Sequence, residues 1–97
     1  MASQEKYSRD SYVRKIRLGL ISALTAVNLK EECGTAFSEY NEPGKKTLEE
    51  ISNPHSDIYS IYPDLFKKNE STIENALRYY PKPESREYLL ALLASFS

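Results

Sequence analysis

From residue 8 to residue 33 no proline interrupts the chain, and apolar residues fall at Val13, Ile16, Leu20, Ala23 and Val27, in steps of three and four. That spacing returns to one face at every turn, so it predicts a long helix over 8–33, of which roughly 22 to 24 residues would reach about 35 Å at the helical rise of about 1.5 Å per residue. A second row, Leu18, Ile21, Leu24 and Leu29, is expected to widen the buried stripe in the C-terminal half, while the other faces of the N-terminal half stay basic. Ser8 or Asp10 fits a cap at its start and Gly34 a left-handed stop at its end.

Residues 34–46 contain Pro43-Gly44, a turn signal, and are expected to form a hinge loop. Thr47-Leu48-Glu49-Glu50 then fits a capping box and predicts a short helix that Asn53-Pro54 ends. Ser56 or Asp57 starts the next helix, over 58–68, which Pro63 splits by removing a donor and crowding the preceding turn. Ser71-Thr72-Ile73-Glu74 is a second capping box and predicts a helix over 72–80, closed by Pro81-Lys82-Pro83. Pro83 suits the first turn of a final helix, in which Tyr88, Leu89, Leu90, Leu92, Leu93 and Phe96 leave almost no polar face. That helix is expected at the centre of the bundle or in a homodimer seam. No alternating strand pattern and no internal repeat stands out. The expected fold is all-α, a single domain over 1–97. It is a compact bundle with one long N-terminal helix packed on three to five shorter helices, those after the hinge lying within 47–97.

Composition narrows the setting. With 97 residues, 40% of them hydrophobic, the chain suits one domain with little stability to spare. Cys33 is the single cysteine and has no intrachain disulfide partner, and the N-terminus lacks the apolar core of a signal peptide. The longest apolar-rich run, at 18–29, is well short of the ~20 residues that cross a bilayer. A reducing, cytoplasmic setting is expected, with no membrane partner.

The formal net charge of -1 argues against a strong polynucleotide binder, but the charge is unevenly spread. Residues 1–30 hold six cations against two carboxylates, and residues 31–64 hold eight carboxylates against two lysines. Such polarity pairs within the fold, between subunits or with separate partners.

Catalytic chemistry finds no footing. His55 is the only histidine, and with Cys33 it makes no credible zinc set. The pairs Glu31-Glu32 and Glu49-Glu50 occupy adjacent helix positions, which point about 100° apart and do not converge. Gly19, Gly34 and Gly44 are too dispersed for a phosphate loop. No catalytic residue, cofactor or metal is expected.

Two surfaces remain. The basic face Arg9, Arg14, Lys15 and Arg17, with Tyr59, Tyr62, Phe66 and Tyr79 from a chain that has eight tyrosines, are the candidate protein-binding residues. They suggest a noncatalytic protein-protein interaction or regulatory module of adaptor or inhibitor type, its partner another protein or a second copy. The alternative is a small helix-turn-helix DNA-binding regulator using residues 58–80, with Lys67, Lys68, Thr72, Asn75 and Arg78 on the nucleic acid.

Overall fold

The computed structural model describes the backbone of residues 2–29 and 35–96 and the side chains of residues 11–29 and 36–96. Expectations for Glu31, Glu32, Cys33, Gly34 and the Arg9 side chain lie outside the described residues. Five α-helices follow in order: α1 Ala2–Leu29, α2 Thr35–Ile51, α3 Asp57–Ile61, α4 Pro63–Tyr79 and α5 Arg86–Ser95, with a single 3₁₀ turn at Pro83–Ser85 before the last. Among the described residues there is no strand, so the fold is an all-α bundle.

The first helix starts earlier than its polar residues suggest. It runs through Ser8 and Asp10, so neither caps it, and its 28 residues span about 42 Å of a molecule 46 Å long. Ile16, Leu20, Ala23 and Val27 are buried, as the three-and-four spacing requires, and Val13 packs half-buried beside them.

The hinge is absent. Pro43 and Gly44 lie inside α2, which is continuous from Thr35 to Ile51. Tertiary packing overrides the turn signal, because Gly44 sits where any side chain would strike α1: a Cβ there would lie 2.6 Å from the Ala23 Cα. One turn on, a Cβ on Gly19 would lie 1.7 Å from Thr47 Oγ1. The pairings 19 with 47 and 23 with 44 make α1 and α2 an antiparallel pair with backbones in close approach. Pro43 stays on the exposed side, so its missing N–H is lost from the solvent-facing part of the helix. Thr47 is therefore a buried mid-helix residue of the seam and not a cap.

Pro63 does split its segment, standing at the first position of α4 after the short α3. Ser56 occupies the N-cap position of α3 without a side-chain cap hydrogen bond. The turn expected at residues 69–71 does not form. Asn69 is buried, donating from Nδ2 to the Leu65 carbonyl at 2.9 Å and accepting from Ser95 Oγ at 2.9 Å, which ties α4 to α5 at that point. Ser71 is an exposed mid-helix residue, so the second capping box is also overturned.

Between α4 and α5 the Tyr80–Pro81 peptide is cis. Helix α5 turns Leu89, Leu92 and Phe96 into the core against α1 and α4 and leaves Leu90 51% exposed, so it is not the central helix of the bundle.

Candidate protein-binding face

The helix α1 presents Arg14, Leu18 and Ile21 outward because they lie at i, i+4 and i+7, opposite the buried Ile16, Leu20 and Ala23. Leu18 is 58% and Ile21 47% exposed. The expectation that the second apolar row widens the buried stripe therefore holds only for its far half: Leu24 packs against the core and Leu29 is half-buried, whereas Leu18 and Ile21 face outward. Arg14 and Leu18 form a ridge between two hollows. On one side lies a hollow of about 870 Å³ between α1 and α2, floored by Gly19 and Thr47 and edged by Lys15, Lys46 and Glu50. On the other lies a smaller one, about 350 Å³, formed by Arg14, Arg17, Leu18 and Ile21 of α1 with Leu93 of α5.

The charges divide as the chain's polarity suggested, but only in part. Lys15 Nζ stands 3.8 Å from Glu50 Oε1 across the α1/α2 seam. Arg14 and Arg17 are exposed and make no ion pair among the described residues. Local charge polarity is therefore satisfied internally at one lysine and left open at two arginines.

The aromatic candidates go largely inward. Tyr59 is buried, meets Phe66 edge to face at 5.2 Å between ring centroids, and donates its hydroxyl to the Ile51 carbonyl. Burial, with a smaller contribution from Glu50, pushes its pKa up to about 12. Tyr79 stacks on Tyr88 at 6.0 Å, pinning α4 to α5. Tyr62 alone of the four is exposed, at the α3/α4 junction. Tyr59 is thus withdrawn from the candidate surface, because the face of α3 that carries it must cover α4 and the end of α2. Two further tyrosines tie helices together. Tyr12 donates to Asp57 Oδ2 at 3.0 Å, and that hydrogen bond and the charge of Asp57 raise its pKa. Tyr80 donates to the Asn41 carbonyl at 3.3 Å, and burial pushes it up to about 12.

The DNA-contact candidates Lys67, Lys68, Thr72, Asn75 and Arg78 fall on the outer side of one uninterrupted helix, not across a helix-turn-helix. Thr72 and Asn75 are partly buried there. Three cations on α4 are matched by three carboxylates, Asp64, Glu70 and Glu74, so the helix carries no net field for phosphate. Among the described residues no three His, Cys, Asp or Glu side chains gather to hold a metal. His55 is exposed in the turn after α2, where its backbone N–H donates to Asn53 Oδ1. Among the described residues no helix is long and apolar enough to cross a membrane.

Leu18, Ile21 and Leu90 were missed as surface residues because an apolar residue at helical spacing carries no sign of which neighbour will cover it. For Leu18 and Ile21 the available signal was the sharing of one face of α1 with Arg14. No known family, curated protein or solved structure matches the chain.

Proposed function

We propose that this protein is a noncatalytic protein-binding module of adaptor or inhibitor type, working in the cytoplasm, whose binding face is formed by the outer sides of α1 and α5. One observation carries the reading: Leu18 and Ile21, each about half exposed, line one hollow with Arg14, Arg17 and Leu93, one turn from the exposed Leu90 on α5, and neither arginine has an ion pair among the described residues. Exposed apolar area rimmed by charge is the usual composition of a recognition surface. The single cysteine, which has no intrachain partner, supports the reducing setting.

The test compares wild type with Leu18→Glu/Ile21→Glu, as tagged chains in cells of the native host. At least one protein, a second copy included, is expected to be held by wild type and lost by the variant, with the melting temperature of the unassociated chain at low concentration unchanged because both side chains point to solvent. Identical association by the two chains overturns the reading.

A further inference from the structure

We infer that the α1/α5 face is the seam of a homodimer in which a second copy of the chain lies antiparallel across it. The inference rests on the protein-binding reading and names the partner.

The face has a direction. Helix α5 runs antiparallel to α1: Arg86 Nη2 donates to Asn28 Oδ1 at 2.8 Å near one end, and Phe96 shares a small hollow with Val13 at the other. Leu93 sits beside Leu18 and Ile21, so Leu90, one turn earlier on α5, lies alongside the Ile21 end of the apolar patch. Beyond the patch, one end carries Arg14 and Arg17, and the other carries Thr25, Asn28 and the exposed Glu87. Helix α1 has no carboxylate from Ser11 to Leu29, so its arginines have no counter-charge on their own helix there.

That polarity decides between the two ways of laying one copy on another. Parallel helices would set Arg14 and Arg17 against the same arginines of the second copy, and like charges at that range oppose association. A two-fold axis across α1 between Leu18 and Ile21 reverses the second copy. Leu18 then faces the second copy's Ile21, Arg14 faces its Thr25 and comes level with its Glu87, and Arg17, on the α5 side of α1, lies within one turn of that Glu87. Each contact occurs twice, as an isologous interface requires. The exposed Ala91 and Ala94 keep the α5 part of the face low enough for close approach.

The experiment measures the mass of the full chain by sedimentation equilibrium, under reductant, from about 1 to about 200 µM, a range that reveals a micromolar Kd. Twice the chain mass of 11.1 kDa is expected at the upper end. Leu18→Glu and Leu90→Glu, each checked for unchanged helical circular dichroism, are expected to be monomeric. Arg17→Glu and Glu87→Arg should each weaken the dimer at least about tenfold, and the double variant should recover most of that loss. A monomer at about 200 µM overturns the homodimer. The protein-binding reading then still stands or falls on its own comparison in cells. A dimer indifferent to both Leu18→Glu and Leu90→Glu, or a charge swap that recovers nothing, overturns the seam as described.

Discussion

Two glycines decide how closely the first two helices meet. In a solvated helix interior Gly→Ala gains about 0.5–1 kcal/mol, but here a Cβ on Gly44 would lie 2.6 Å from the Ala23 Cα, a backbone atom that cannot rotate away. Gly44→Ala is therefore expected to destabilise by about 1–3 kcal/mol, read as a lower urea midpoint. Gly19→Ala should behave alike, and Thr47→Ala should relieve it only in part, since the Thr47 Cβ itself is 2.5 Å from the new methyl. The buried tyrosines give a second residue-scale expectation. In the unfolded chain a tyrosine releases its proton near 10, whereas Tyr59 and Tyr80 hold theirs to about 12 in the native state. Between those values the native state binds more protons than the unfolded state, so stability falls as pH rises through that window and is unaffected by these groups below it. Melting curves should show a decline from about pH 10 that is shallower in Tyr59→Phe.

At the scale of elements, the local grammar succeeds where a residue has only one physical option and fails where packing offers a second. Pro63 cannot donate, and it starts a helix; Pro43 cannot donate either, yet α2 passes through it because Gly44 and Thr47 must both reach α1. Restoring the N–H with Pro43→Ala should stabilise the fold by up to about 3 kcal/mol, read as a higher urea midpoint, if the helix axis does not depend on the proline. The two capping boxes illustrate the same rule. The sequence Ser-x-x-Glu is compatible with a helix start and equally with an exposed helix surface, and Ser71 takes the second role. Ser71→Ala should accordingly be neutral or stabilising by up to about 0.5 kcal/mol, where loss of a cap would cost about 0.5–2 kcal/mol. Thermal and urea unfolding of this one variant discriminate the two roles.

On the scale of the whole molecule, a small domain with an uncovered apolar face gains from any partner that binds the folded form. If the α1/α5 seam closes on a second copy, the melting temperature should rise with protein concentration, and Leu18→Glu should remove that dependence. Ionic strength should matter more to association than to folding. The fold holds one ion pair among the described residues, Lys15 with Glu50, at a largely exposed site where such pairs contribute about 0–1 kcal/mol. Arg14 and Arg17, by contrast, face outward, where the proposed second copy would meet their charge on encounter. A salt series on the dimer constant beside one on the melting temperature checks the difference.

The sequence by itself determined the helical class, the core stripe of α1 at Ile16, Leu20, Ala23 and Val27, and the break at Pro63. These follow from period and from covalent constraint, which act within one segment. Tertiary structure alone decided that α2 continues through Pro43-Gly44, that residues 69–71 stay helical, that Tyr59 is buried, and that Leu18, Ile21 and Leu90 are left outside. Each of those outcomes depends on which surface a residue meets, and the apolar periodicity of a helix states how much surface seeks cover without stating what covers it.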